Sequence, residues 1–298
     1  MNKLTGIIIP VITPFEKDGS INFDNLRFNI RKWNDTNVIG YMCLGTNGEF
    51  KSLSDDESFE IVKTVIEEKD KDKCLIVGAG RESVPQTLAF IKRLEEFKDS
   101  IDYVSLITPS YFPKLLNDEV LENYYTSIAD ISPIPLLLYT APPYNNGVGV
   151  STDLVKKLAN HPNIHGMKDT SPDMMAKYVE AVGGRDDFML IAGSISNLIL
   201  CLKGGGSAGV VSAANYLPNQ SDEIVRLFMA GKEAEAEEKQ LYLKGVLAKT
   251  GGKFGVKGVK ACMNLLGWKA GVPRTPIFEL KDNEKEDIRK AFIEENLL

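Results

Sequence analysis

Eight short apolar runs, each followed by a segment of helical period, constrain this 298-residue chain more than any other feature. They are GIIIPVI (6–12), VIGYMCLG (38–45), KCLIVGAG (73–80), DYVSLITP (102–109), IPLLLYT (134–140), NIHGMKD (163–169), FMLIAG (188–193) and AGVVSA (208–213). The runs are continuous rather than alternating, which is how parallel strands buried on both faces read. Three of the intervening segments open on clear helix starts. Ser54 begins SDDESFEIVKTVIEE with Glu57 placed as a capping-box partner, Ser83 begins SVPQTLAFIKRLEEF with Pro in the first turn, and Ser151 begins STDLVKKLAN. Eight βα units of roughly 25–30 residues each predict an α/β fold of the (β/α)8 TIM-barrel type, which typically takes about 250 residues. A doubly wound open sheet is the competing architecture, disfavoured by the strand count and by the lack of a dinucleotide loop after the first run. After Pro218 the strand pattern stops, and 221–250, 256–267 and 283–298 read as helices. The expected division is therefore a barrel carrying the active site over 1–225 and a C-terminal three-helix extension over 226–298.

Composition removes several function classes. The formal charge of −6 supplies no basic face to neutralise phosphates, so nucleic acid is not an expected partner. The four cysteines, Cys43, Cys74, Cys201 and Cys262, are widely spaced and form neither a CxxC pair nor a Cys/His cluster. A disulfide framework and a structural zinc site are both disfavoured. The opening MNKLTGIIIPVITPF is interrupted by Pro10 and Pro14 and lacks the apolar core and cleavage site of a signal peptide. No apolar run reaches the length of about 18 residues that a membrane span needs. The expectation is a cytoplasmic protein with no membrane partner.

The sixth run ends on an anomaly. Ile164 and Met167 belong to a buried strand, yet Lys168 and Asp169 follow at once. A lysine can simply surface where a strand stops, as most do. In a barrel, however, active sites lie at the carboxyl ends of the strands, and catalytic residues come from several of them. Those ends supply Thr46 and Asn47 in GTNGEF, Tyr111 in TPSYFP, Tyr139 in LLLYTAPPY, Lys168, Gly193 and, late in the eighth run, Val211 with Ser212. An amine, two phenols and a loop of backbone donors fit Schiff-base chemistry: a partly desolvated amine loses its charge more readily and attacks a carbonyl. The set fits hydrolysis by a Ser/His pair poorly, because only His161 and His165 exist and both belong to the neighbourhood of one strand. It also fits a metal site poorly. GGGSAG (204–209) matches GxGxxG in letters but precedes a strand instead of following one, so no dinucleotide is expected there. GTNGEF follows a strand and could cradle a small carboxylate, or be a plain tight turn.

These residues carry a family resemblance. The chain resembles the dihydrodipicolinate synthase / N-acetylneuraminate lyase family of pyruvate-dependent class I aldolases. The likeness rests on GIIIPVITPF, GTNGEF, TPSYF, YTAPPY, GMKDTSPD, GGGSAGVVSAANYLP and GVKGVKACMNLLGWKAGVPRTP in this order, and so covers nearly the whole length. The resemblance implies a barrel with three C-terminal helices, a homotetramer built as a dimer of dimers, and no metal or organic cofactor. It implies that Lys168 forms the imine with pyruvate or a 2-oxo acid, and that Thr46 and Asn47 hold the substrate carboxylate. Tyr139 would be the general acid/base, and Thr46 would relay its proton to Tyr111, which in relatives reaches the neighbouring subunit. Tyr144, Gly193 and Val211 complete the implied substrate-binding set. A non-catalytic, ligand-binding relative is the competing class; it would have no need of Lys168, Tyr139 and Thr46 together.

The departures bear on the second substrate, a small aldehyde. In the lysine-pathway synthase, the YNxPxR segment supplies an arginine that grips the carboxylate of aspartate semialdehyde, whereas Tyr144 stands at that place here. A phenol cannot replace a two-pronged guanidinium. Together with Asn47 and NHPNIHGMKD, this resembles the 4-hydroxy-2-oxoglutarate aldolase branch more closely. A 2-keto-3-deoxy sugar acid is also accommodated, with Tyr144 and Asn145 offering hydrogen bonds to hydroxyls. Arg274, Lys253 and Lys257 are the other basic residues able to replace the missing arginine.

Overall fold

The computed structural model describes residues 4–298; the first residues of the opening segment lie outside the described part. Eight parallel strands form a closed barrel in sequence order: β1 (Gly6–Pro10), β2 (Gly40–Cys43), β3 (Cys74–Gly78), β4 (Tyr103–Ile107), β5 (Leu136–Thr140), β6 (Ile164–Asp169), β7 (Met189–Ala192) and β8 (Ala208–Val210). Each lies within one of the eight apolar runs, and each is almost wholly buried, as a sheet covered on both faces requires. The helices are α1 (Phe23–Asn34), α2 (Asp55–Glu68), α3 (Val84–Leu94), α4 (Asp118–Ala129), α5 (Thr152–Leu158), α6 (Met175–Val182), α7 (Ile195–Lys203) and α8 (Pro218–Met229). Three further helices follow: α9 (Glu233–Lys249), α10 (Val256–Leu265) and α11 (Asp282–Glu294).

The caps read from sequence form. Ser54 and Glu57 make a reciprocal capping box on α2, and the Ser83 and Ser151 side chains each accept from a backbone N–H of the first turn. The segment 221–250, which reads as continuous helix, is instead divided between α8 and α9. Gly231, with φ at +76°, takes the left-handed turn that stops α8.

The described residues divide into two compact units, one holding residues 4–6 with Cys74–Val210 and the other Ile7–Lys73 with Val211–Leu298. In the first, β5 pairs with β6 so that Tyr139 lies opposite Lys168 and Thr140 opposite Asp169. Neighbours in register project to the same face, and successive residues to opposite faces. In the second, α9 packs on α8 and α11, and Trp268, beyond α10, stacks on Trp33 of α1 with ring centroids 5.5 Å apart. No helix among the described residues is long and apolar enough to cross a membrane.

Candidate active site

Lys168 is the penultimate residue of β6 and only 6% exposed. Its Nζ lies 4.2 Å from the centroid of the Tyr139 ring, which is itself buried near the end of β5. The strand register produces this pairing: a residue at the end of β5 and its partner on β6 have no alternative but to share a face. An amine beside a phenol is the pairing that imine chemistry needs, since one attacks and the other moves protons. Gly193 follows β7, and its N–H donates to Asp169 O at 2.6 Å. A Cβ there would stand 2.5 Å from that same carbonyl and collide with the Thr170 hydroxyl, so only glycine lets the chain approach the end of β6 so closely.

The opposite face of the same strand ends carries a second polar cluster. Asp169 is fully buried; its Oδ1 accepts from the Ser171 N–H at 2.8 Å, and its Oδ2 has no hydrogen-bond partner among the described residues. Burial pushes its carboxyl from an ordinary 3.8 up to about 6, against the hydrogen bonds from Ser171 that favour ionisation. Tyr178 of α6 donates to Val150 O, and burial followed by the Asp169 charge raises its phenol to about 12.

The loops after β4 and β5 are built differently. Tyr111 is 75% exposed and packs edge-on against Phe112, with its backbone N–H bound to Glu82 Oε2. It does not cap the core. With Phe112 and Leu115 it makes an exposed apolar cluster. Tyr144 ends a single 3-10 turn and is 63% exposed. Asn145 does not offer its side-chain amide to a substrate as expected: it is buried and Nδ2 donates to Thr108 O at 2.6 Å, which fastens the β5 loop to the end of β4.

In the second unit, Thr46, Asn47 and Gly48 form one 3-10 turn just past β2. Asn47 Nδ2 donates to Ser212 Oγ at 2.8 Å, which joins this turn to the segment after β8, where Val211 is buried. Two residues missed in the sequence stand behind the turn. Glu49 is buried, and Lys260 of α10 lies 2.6 Å from its Oε1. Arg274 is not available to a substrate carboxylate. Its guanidinium holds both carboxylate oxygens of Glu57, at 2.5 and 2.9 Å, and Ser52 O at 2.7 Å. That pairing holds the Glu57 carboxyl below its ordinary value and raises the Arg274 guanidinium. Lys253 lies against the Phe254 ring.

Glu49 was signalled by its place in GTNGEF, and Asp169 by its place beside Lys168. Nothing local marked Lys260, since a lysine on a helix ordinarily faces water. Among the described residues no group of three or more His, Cys, Asp or Glu could hold a metal ion, and none of the four cysteines is in a disulfide. Burial raises the Cys43 thiol to about 12, which makes it a poor nucleophile.

The sequence profile described as the dihydrodipicolinate synthetase family matches residues 3–295. A 4-hydroxy-tetrahydrodipicolinate synthase of Clostridium perfringens is 30% identical over 298 residues, covering 98% of this chain and 97% of its own. The protein of the same name from Archaeoglobus fulgidus is 29% identical over 289 residues, covering 96% of each. Among solved structures, dihydrodipicolinate synthase from Thermotoga maritima superposes with a TM-score of 0.90 at 25% identity over 100% of both chains. The 4-hydroxy-tetrahydrodipicolinate synthase of Methylacidiphilum fumariolicum gives 0.88 at 26% identity, covering 98% of this chain and 95% of its own.

Proposed function

The chain belongs to the dihydrodipicolinate synthetase family, whose members are pyruvate-dependent class I aldolases, and from that premise we propose that Lys168 is the amine through which it makes or breaks a carbon–carbon bond. The carrying observation is the buried Lys168 Nζ against the Tyr139 ring at 4.2 Å. The amine adds to C2 of pyruvate and water leaves, giving a protonated imine. That cation is an electron sink: loss of a C3 proton yields an enamine, which adds to the aldehyde carbon, and the reverse path cleaves the bond. Tyr139 carries the protons, with Thr46 relaying them to Tyr111. The Thr46–Asn47 turn holds the pyruvate carboxylate, and Gly193 and Val211 line the bound substrate. The exposed Tyr111, Phe112 and Leu115 are the surface on which we expect copies to assemble into a tetramer. The proposed setting is the cytoplasm.

For the aldehyde, the named relatives favour condensation of pyruvate with aspartate semialdehyde, as in 4-hydroxy-tetrahydrodipicolinate synthase. They lend no support to the 4-hydroxy-2-oxoglutarate aldolase branch expected from the motifs. One observation keeps a second reading, cleavage of 4-hydroxy-2-oxoglutarate or a 2-keto-3-deoxy sugar acid. Tyr144 occupies the arginine position, and Arg274 is committed to Glu57. Steady-state kinetics on the three substrates test the choice. A kcat/KM at least about tenfold higher for aspartate semialdehyde, a difference of about 1.4 kcal/mol, supports the synthase. The opposite ranking supports the cleavage reading.

A further inference from the structure

The turn that precedes Glu49 is bracketed by two residues in a conformation that side chains avoid. Leu44, at the end of the second apolar run, has φ of +56°, and Glu49 has φ of +54°. A non-glycine residue in the left-handed region is uncommon and costs free energy, and such strain persists only where surrounding contacts over-determine it. At Glu49 those contacts are visible. Its Oε2 accepts from the Arg274 backbone N–H at 3.0 Å, and its Oε1 pairs with Lys260 at 2.6 Å. Lys260, 1% exposed, also donates to Thr13 O at 2.8 Å and Val272 O at 2.7 Å, and lies 4.6 Å from the Phe15 ring centroid. An ammonium has three protons, and here three oxygens surround it. Thr13 continues the chain of contacts, because its hydroxyl donates to Gly48 O at 2.7 Å.

We infer that Lys260 is the positioning residue of the carboxylate-binding turn: from α10 it fixes Glu49 directly and Gly48 through Thr13, so that Thr46 and Asn47 keep one arrangement of donors. The inference rests on the reading of that turn as the holder of the pyruvate carboxylate. It gives the helices after the barrel a function in the reaction, one exerted through the turn and not on the substrate. A solitary buried ammonium is costly, and burial does push the Lys260 amine down to about 8 while Glu49 acts to keep it charged. A well-packed apolar pair could fill that space at no loss of stability, so a charge retained here calls for a reason beyond stability.

The test uses the full chain. Lys260→Met alone strands the Glu49 carboxylate and is expected to unfold easily, so the informative variant is the double replacement Glu49→Gln with Lys260→Met. It keeps both shapes, and Gln still accepts from the Arg274 N–H. Two quantities are read: the pyruvate concentration giving half-maximal borohydride trapping on Lys168, and hydrogen exchange of the amides of 45–50. The double variant is expected to reach the wild-type amount of adduct, but with half-saturation raised about tenfold. Its loop amides should exchange about tenfold faster while β5 to β7 stay protected. Wild-type half-saturation together with wild-type loop protection overturns the inference. Should the double variant not fold, Glu49→Gln carries the same test, with about threefold weaker pyruvate capture expected and no change overturning it. A wild-type protein that traps no pyruvate removes the imine reading and this inference with it. Normal wild-type trapping with indifferent variants removes only the inference.

Discussion

Two lysines of this protein lie buried against aromatic rings at nearly the same distance, and they differ in what surrounds them. Lys168 Nζ stands 4.2 Å from the Tyr139 ring, and Lys260 Nζ stands 4.6 Å from the Phe15 ring. The first ring carries a phenol that can give and take a proton; the second carries none. Lys260 donates to two backbone carbonyls and lies 2.6 Å from a Glu49 carboxylate oxygen, and Lys168 sits at the end of a barrel strand, where this fold keeps its chemistry. Burial therefore does not pick out a reactive amine. What distinguishes the two is the ring beside each and the place of each in the fold, one at the end of a barrel strand and the other on a helix after the barrel.

Exchanging the roles is the strongest way to break that contrast. Lys168→Ala should lower activity by roughly 10⁴-fold or more, the scale on which loss of a covalent nucleophile is felt, with little change in melting temperature. Lys260→Met should do the reverse in kind. Removing one partner of a buried pair costs about 3–5 kcal/mol, seen as a melting temperature lower by about 10 °C, with residual activity in the folded fraction. Tyr139→Phe makes the first ring resemble the second. Its packing is retained, and turnover should fall by about 10²–10⁴-fold while pyruvate capture is only slowed.

Smaller effects sharpen the picture around Lys168. Tyr144→Arg should raise kcat/KM for aspartate semialdehyde by roughly 10- to 150-fold, the worth of a charged hydrogen bond, and leave pyruvate half-saturation unchanged. Asp169 governs a pH effect. Its carboxyl holds a proton more tightly in the folded chain, about 6, than the ordinary 3.8. The resulting stabilisation is complete below about pH 4 and is lost as the pH rises through about 6. Asp169→Asn cannot titrate, so its stability relative to wild type should improve between those values, by about 3 kcal/mol at most. Melting curves from pH 4 to 8 check this, and a constant difference across the range would contradict it.

The sequence made the scaffold legible because its signals are local. Continuous apolar runs marked all eight strands, and Ser54, Ser83 and Ser151 marked three helix starts within a few residues of themselves. Lys168 and Tyr139 were legible as strand ends, although their contact depends on the register of β5 with β6. What stayed hidden depends on partners distant in sequence. Lys260 meets Thr13 across 247 residues, and Arg274 meets Glu57 across 217. Neither pairing leaves a trace in spacing, so Arg274 read as a cation able to replace the missing arginine and Lys260 drew no reading at all. Asn145 was misjudged for the same reason, since Thr108 occupies its side-chain amide.

The central claim is that Lys168, and not another buried lysine, attacks the carbonyl. Incubating the protein with pyruvate and borohydride, then digesting it and locating the added mass, tests it most directly. One reduced pyruvate per chain on the peptide containing Lys168, absent from Lys168→Ala, is the expected result. An adduct on Lys260 or any other lysine, or no adduct at saturating pyruvate, would contradict it.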